Sequence, residues 1–161
     1  TLDRIQHEQE DIGIAALPSR VSSRFSVHSM ATTPLVFIAA AAREDLHSNA
    51  PDFASIPMIL SESGLARERV DRWFREQKIK PSIYAQVAGN EAIVSMVSLG
   101  FGVGLVPKLV VDNSPLADNI RILDIKHGME PFSIGVCVLK RKLSNPLIRA
   151  FWDLAVSSEG K

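Results

Sequence analysis

The chain has 161 residues, of which 46% are hydrophobic and 22% are charged. This is the composition of an ordinary globular domain, and it excludes a disordered chain, a collagen and a coiled coil. Eighteen basic and eighteen acidic residues cancel, which argues against direct nucleic-acid binding, because nucleic acids favour a basic surface. The length fits one domain or two small lobes.

Several other classes of protein are excluded by simple counts. The single cysteine, Cys137, cannot form an internal disulfide or a cysteine-rich metal site. The longest apolar run, residues 34–42, is far shorter than the roughly 20 residues of a membrane span, and no signal-peptide pattern opens the chain. The four histidines show no metal-ligand spacing. We therefore expect a cytoplasmic protein with no membrane contact, metal or cofactor.

The first third of the chain predicts one helix and three strands. The chain opens within a helical pattern that runs to residue 9, so we expect it to be a fragment of a longer protein. Two strands, 11–17 and 34–41, are nearly continuous apolar runs, which predicts burial on both faces. Between them, residues 25–33 alternate apolar and polar side chains, as a half-buried strand does.

The region after residue 56 predicts strands and helices in alternation, which is typical of a parallel sheet with helices on its faces. The predicted elements are a strand at 56–60, a helix at 64–77, a strand at 82–88, a helix at 90–99 and a strand at 103–106. A helical turn near Leu109, strands at 120–125 and 132–139, and a last helix follow. Asn145 and Pro146 are a favourable N-cap and first residue for that helix.

These elements predict an α/β fold in two lobes. Residues 1–42 form part of a first lobe, 43–56 a connection, 57–107 the core of a second lobe, and 108–161 its remainder, with a contribution that could return to the first lobe. The first lobe has too few elements to be complete. Its uncovered sheet edge favours pairing with another chain.

Ligands of open parallel sheets bind beyond the carboxyl ends of the strands. This rule selects three segments: Ser61, Glu62 and Ser63; Gly89 and Asn90; and Ala16, Leu17 and Pro18. The first two segments open predicted helices, whose N–H groups and dipoles favour an anion such as a carboxylate. Arg67 or Arg69 could add positive charge. The alternative is ordinary helix capping by Ser63 and Asn90, with no ligand.

Two tempting catalytic or cofactor motifs are set aside. The glycines of 100–104 follow a predicted helix and precede a strand, which is the reverse of a dinucleotide-binding loop. Gly100 is instead the predicted end of that helix. Cys137 lies in an apolar strand and is predicted to be a buried, inert thiol. We expect no catalytic residue, and an α/β hydrolase using Cys137 is kept only as an alternative.

Three segments together resemble the effector-binding domain of LysR-type transcriptional regulators. They are EDIGIA at 10–15, GNEAIV at 89–94 and LGFGVGLVP at 99–107, and the resemblance continues through the final NPLIRAFW. It implies a two-lobe fold of the type 2 periplasmic-binding-protein kind, with a small-molecule site between the lobes. It also implies that DNA is bound only through a winged helix-turn-helix outside these residues, and that the protein is a homodimer or homotetramer.

Within that family, further segments resemble an activator of isoleucine–valine biosynthesis. They are WFR at 73–75, IYA at 83–85, EPFSIGVC at 130–137 and PLIRAFW at 146–152. This resemblance implies a small anionic effector, acetolactate or acetohydroxybutyrate, bound at the three segments named above. An exported solute-binding protein of a transport system would share the fold and is the alternative function.

Overall fold

A computed structural model describes residues 2–18, 20–43, 46 and 51–157. The helices are α1 (Leu2–Gln6), α2 (Leu65–Glu76), α3 (Asn90–Ser98), α4 (Lys108–Asp112) and α5 (Pro146–Ser157). The strands are β1 (Ile12–Leu17), β2 (Phe25–Thr33), β3 (Leu35–Ala40), β4 (Pro57–Ser61), β5 (Ser82–Val87), β6 (Val103–Pro107), β7 (Ile120–Ile122) and β8 (Phe132–Leu139). Short 3₁₀ turns lie at Ala117–Asn119 and Lys140–Ser144.

The described residues form two compact units, each with its own sheet. The discontinuous unit combines residues 2–33 with 132–157, and its antiparallel sheet has the order β1-β8-β2. The continuous unit is residues 34–131, and its sheet has the order β5-β4-β6-β3-β7. In that sheet β4 runs parallel to β5 and β6, whereas β3 runs antiparallel to β6 and β7. The chain crosses between the units after Thr33 and again after Pro131.

This division differs from the lobe boundaries expected from the sequence. Strand β3 was expected in the first lobe, but it lies inside the five-stranded sheet of the continuous unit. Strand β8 and helix α5 belong with β1 and β2, which is the return to the first lobe that the sequence analysis left open. The difference arises because strand pairing joins residues far apart in the chain, and the apolar pattern of a strand does not identify its partner.

The expected burial of both apolar strands is confirmed for β3 and wrong for β1. Phe37, Ile38 and Ala39 in β3 are at most 1% exposed, whereas Ile14 in β1 is 57% exposed. Strand β3 has a neighbour on each side, and β1 has only β8, so β1 is an edge strand of the described sheet. An edge position leaves one side of a strand and part of its faces open to solvent.

The core of the continuous unit lies where helix α3 packs against the sheet. Its fully or nearly fully buried members are Ile38, Ile59, Ile93, Val94, Val97, Val106 and Val111. Helix α3 approaches β6 so closely that a Cβ at Gly104 would lie 2.6 Å from Cγ2 of Ile93. Each buried aliphatic side chain of this kind contributes about 1.5–3 kcal/mol, so this cluster holds the unit together.

A second part of the same unit is aromatic. The rings of Phe37, Phe53, Trp73 and Phe74 lie with centroids 5.0–5.6 Å apart, so helix α2 packs on β3 through aromatic contacts. The imidazole of His127 packs edge-on against Phe37 at 5.8 Å. Burial lowers the pKa of His127, although its hydrogen bond to the Leu35 carbonyl opposes this shift. The aromatic contacts hold helix α2 against the sheet, and the aliphatic cluster holds helix α3 against it.

The discontinuous unit has a smaller core around Ile5, Leu17, Phe25, Cys137 and Leu139. The Cys137 thiol is fully buried and donates to the Gly13 carbonyl at 3.2 Å. Burial raises the pKa of this thiol, which keeps it protonated and weakly nucleophilic. The predicted burial of Cys137 is confirmed.

Two predicted helix ends are also confirmed. Gly100 has φ +83°, and its N–H donates to the Val97 carbonyl at 2.8 Å, while the Phe101 N–H donates to Met96 at 3.2 Å. This pair of hydrogen bonds is the Schellman motif that ends helix α3. At the start of α5, the Asn145 side-chain oxygen accepts the Leu147 N–H at 2.9 Å, as an N-cap does.

Candidate functional site

The parallel pairing of β4 and β5 brings two of the three predicted segments together. Ser61, the last residue of β4, is in register with Val87, the last residue of β5. The Glu62 N–H then donates to the Val87 carbonyl at 3.0 Å. Ser61, Glu62 and Ser63 therefore lie beside the chain that leads into Gly89 and Asn90, as the carboxyl-end rule predicted.

Glycine, and not a polar cap, opens each of the two helices. The N-cap residues are Gly64 and Gly89, with φ of +92° and +87°, and neither helix has a side-chain cap hydrogen bond. The predicted capping by Ser63 and Asn90 is therefore wrong. Such φ values disfavour side chains with a Cβ, so only glycine turns the chain here without strain. The first-turn N–H groups, which have no partner within a helix, are left for water or a ligand.

The two serines of the segment have different roles in the structure. The Ser61 hydroxyl is half-buried and donates to the Ser63 carbonyl at 2.8 Å, which closes the turn before α2. Ser63 and Glu62 are exposed. The groups open to a ligand at this end of β4 are therefore the Ser63 hydroxyl and the amide N–H groups that begin α2.

The positive charge expected here is provided by Arg67 and not by Arg69. The Arg67 guanidinium donates to the Ser61 carbonyl at 3.0 Å and to Gln86, and it pairs with Asp71 at 2.9 Å. Arg69 donates instead to the backbone carbonyls of 130–131. Burial lowers the pKa of Arg69, while Glu130 raises it and Arg72 lowers it further. The i,i+4 spacing of Arg67 and Asp71 was visible in the sequence, but the contribution of Gln86 was not.

A negative charge lies beside the start of α3. A Cβ built at Gly89 would lie 3.6 Å from a carboxylate oxygen of Glu91, so this side chain folds back over the first turn. A carboxylate there stabilises the positive end of the helix dipole. It would also repel an anionic ligand, as would the exposed carboxylates of Glu62 and Glu68 beside the start of α2.

The third predicted segment, Ala16, Leu17 and Pro18, belongs to the discontinuous unit. Ala16 pairs with Ile134 and Leu17 with Ser133 at the end of β1. The Leu17 side chain is buried in the core of that unit, so a ligand could meet only its backbone. Ser133, the pairing partner of Leu17, was not predicted as part of this segment, and its hydroxyl lies 2.7 Å from that of Ser29 in β2. Strand pairing over more than a hundred residues brings these serines together, so no local signal could have found them.

Among residues 2–18, 20–43, 46 and 51–157, no group of three or more His, Cys, Asp or Glu side chains is placed to hold a metal ion. No helix within those ranges combines the length and apolar character that crossing a bilayer requires.

Two α/β units, one of which presents adjacent helix N-termini beyond parallel strands, define a small-molecule-binding domain. The chain matches the family described as LysR substrate binding domain over residues 1–159. It therefore belongs to that family, which is a family of transcriptional regulators and not of enzymes. The matches do not favour the alternative of a transport protein.

The chain is similar to proteins described as the HTH-type transcriptional activator or regulator IlvY. It is 40% identical over 158 residues to the activator from Haemophilus influenzae, covering 95% of this chain and 54% of the relative. It is 36% identical over 160 residues to the regulator from Escherichia coli K12, with the same coverage. The chain thus spans about half the length of the curated relatives it matches.

Solved structures confirm the fold expected from the resemblance. The effector-binding domain of QuiR in complex with shikimate is 24% identical, with a TM-score of 0.76 over 97% of this chain and 75% of that one. The Synechocystis CcmR regulatory domain in complex with 2-PG is 20% identical, with a TM-score of 0.79 over 97% of this chain and 76% of that one. At these identities the likeness shows the type 2 periplasmic-binding-protein fold alone.

Proposed function

We propose that this chain is the effector-sensing part of a cytoplasmic transcription activator that responds to acetolactate or acetohydroxybutyrate. The observation that carries the proposal is the pair of uncapped, glycine-opened helices at the ends of β4 and β5. Both effectors are carboxylates, the class of ligand that helix N-termini favour. The similarity to IlvY activators supports a role in branched-chain amino acid biosynthesis.

The proposal assigns ligand contacts to Ser61, Glu62, Ser63, Gly89, Asn90, Ala16, Leu17 and Pro18. The effector carboxylate is placed at the start of α2, because the exposed Ser63 hydroxyl lies there beside the open amide groups. Shikimate, which QuiR holds, is also a small hydroxylated carboxylate. DNA contacts belong to a winged helix-turn-helix outside these residues, and the working state is a homodimer or homotetramer. No catalytic step is part of this role.

Acetolactate titration tests the proposal. A ligand present at about 100 times its Kd adds about 2.7 kcal/mol to the free energy of unfolding, so the melting temperature should rise by several degrees. Trp73 and Trp152 give a fluorescence signal for the same titration. The matched control is the methyl ester of acetolactate, which lacks the charged carboxylate and should not stabilise the protein. An equal response to acid and ester would contradict carboxylate recognition.

A single substitution tests whether Glu91 repels the bound carboxylate or contacts the effector. If the carboxylate binds near α2 with Glu91 a few ångströms away, Glu91→Gln removes an exposed repulsion and should strengthen binding by about twofold to threefold. Isothermal titration with acetolactate measures this change, and Glu76→Gln, an exposed carboxylate at the far end of α2, is the control. Weaker binding by Glu91→Gln would mean that Glu91 contacts the effector itself.

A further inference from the structure

Arg67 joins the ends of three elements next to the candidate site. It lies in the first turn of α2, with only 17% of its side chain exposed. Its Nη1 donates to the backbone carbonyl of Ser61 at the end of β4 and to the side-chain oxygen of Gln86 in β5. Its Nε pairs with both carboxylate oxygens of Asp71, one turn further along α2, at 2.9 Å.

This arrangement uses a property that other cations lack. The guanidinium is planar and donates in several fixed directions at once, whereas a lysine ammonium is a point charge on a flexible stem. Asp71 holds the guanidinium in one orientation, and the remaining N–H groups then reach Ser61 and Gln86. Partial burial strengthens such charge-assisted hydrogen bonds, since water competes with them less.

The consequence falls on residues 61–64, which we call the 61–64 loop. Its first carbonyl is held by Arg67, its Glu62 N–H is held by Val87, and its Ser61 hydroxyl is held by the Ser63 carbonyl. Gly64 has a flexible backbone and no side chain that could make a further contact with the neighbouring elements. Arg67 is therefore the side chain that attaches this loop to both β5 and α2.

We propose that Arg67 is a positioning residue for effector binding. Its guanidinium fixes the 61–64 loop against β5, so that the first N–H groups of α2 keep one orientation toward a bound carboxylate. Arg67 acts through the Ser61 carbonyl and does not itself contact the effector. This inference rests on the proposed function for the ligand, but the anchoring of the loop is independent of it.

The test compares Arg67→Ala and Arg67→Lys with the wild-type chain, and Arg75→Ala is the matched control. Arg75 lies on the same helix and is exposed, so it loses the same charge without touching the loop. Two quantities are measured: amide hydrogen exchange along the chain, and acetolactate affinity by isothermal titration. A purely structural role would loosen α3 and the sheet as well as the loop.

In Arg67→Ala, exchange at the 61–64 loop should rise about tenfold, while Ile93 and Val97 in α3 keep their protection. Acetolactate affinity should fall about tenfold, because a loosened 61–64 loop no longer holds the first N–H groups of α2 in one orientation toward the carboxylate. Arg67→Lys should restore neither the protection of the loop nor the affinity, because lysine keeps the charge but lacks the planar guanidinium that donates in several directions. Recovery by lysine would show that charge alone matters and would overturn the positioning role, as would any loss of protection or affinity in Arg75→Ala.

The outcomes separate this inference from the proposed function. Unchanged exchange at the 61–64 loop in Arg67→Ala overturns the anchoring, and faster exchange with unchanged affinity overturns its link to binding. If the wild-type chain ignores acetolactate while the loop loosens in the variant, the proposed effector is wrong and the anchoring stands. If Arg67→Ala does not fold, Gln86→Leu removes one exposed partner of the guanidinium and is expected to give the same local loosening.

Discussion

Strands β1 and β3 have nearly the same sequence character and very different surroundings. Both are six residues long and apolar, IGIAAL in β1 and LVFIAA in β3. Strand β3 lies between two strands and is buried almost throughout, while β1 lies at a sheet edge with Ile14 57% exposed. An apolar run therefore reports that a strand exists, but the strand's neighbours decide how much of it is buried.

The largest effect should come from the same truncation made in both strands. Ile38 in β3 is fully buried, so Ile38→Ala should lower the free energy of unfolding by about 2–5 kcal/mol. Ile14→Ala in β1 should cost less than about 1 kcal/mol, because Ile14 is already largely in water. Urea unfolding of both variants measures the difference. Equal costs would show that β1 is covered in solution by something outside the described residues.

A smaller contrast concerns glycines that permit close packing. A Cβ at Gly135 in β8 would lie 2.2 Å from the backbone carbonyl oxygen of His28, whereas one at Gly104 in β6 would meet side-chain atoms of Ile93 and Val97. Side chains can shift more easily than a paired strand can. We expect Gly135→Ala to lower the free energy of unfolding by about 3 kcal/mol and Gly104→Ala to lower it by about 1 kcal/mol, the two ends of the usual range for overpacked cores.

Thermal unfolding of the two glycine variants provides the measurement. Gly100→Ala is a useful third variant, because a Cβ there meets no atom within 4 Å and only the φ of +83° is strained. A Gly104→Ala variant less stable than Gly135→Ala would mean that the core around α3 is more rigid than the three-stranded sheet.

The smallest contrast is in pH dependence. Burial lowers the pKa of His127 in the continuous unit. Below about pH 6.5 the unfolded chain therefore binds a proton more readily than the folded chain does, and the free energy of unfolding decreases as the pH falls. Burial raises the pKa of Cys137 in the discontinuous unit, so above about pH 8.5 the unfolded thiol ionises first, and stability falls as pH rises.

Two variants test whether His127 and Cys137 cause these two changes of stability with pH. His127→Gln should flatten the acid side of the stability profile, and Cys137→Ala should flatten the alkaline side, in urea unfolding across about pH 5 to 10. Trp73 lies in the continuous unit and Trp152 in the discontinuous unit, so variants with one tryptophan follow each unit separately. An acid slope that survives His127→Gln would place the responsible group elsewhere.

The elements of this fold were predictable because their signals are local. The α3 pattern, its Gly100 end and the Asn145 cap of α5 each depend on a few neighbouring residues, and all three were confirmed. The partners of β3 and β8 were not predictable, because pairing joins residues that are far apart in the chain, for example Ile38 with Gly104 and Ile12 with Val138.

The candidate site shows the same limit. The position of the 61–64 loop and of Gly89 followed from the strand-end rule, which needs only the order of elements. The use of glycine as N-cap was mispredicted, since serine and asparagine are intrinsically better caps and only the positive φ excludes them here. The attachment of Arg67 to Gln86 depends on the parallel register of β4 and β5, which no local pattern specifies.

The strand order β1-β8-β2 has a consequence for synthesis on the ribosome. Strands β1 and β2 do not pair with each other in the described sheet; each pairs with β8, which begins at Phe132. The described residues of 2–33 therefore leave the ribosome before their central partner strand, while residues 34–131 contain all the strands of the second described sheet. We expect residues 34–131 to fold before residues 2–33 find their partner strand, so that the discontinuous unit is completed last.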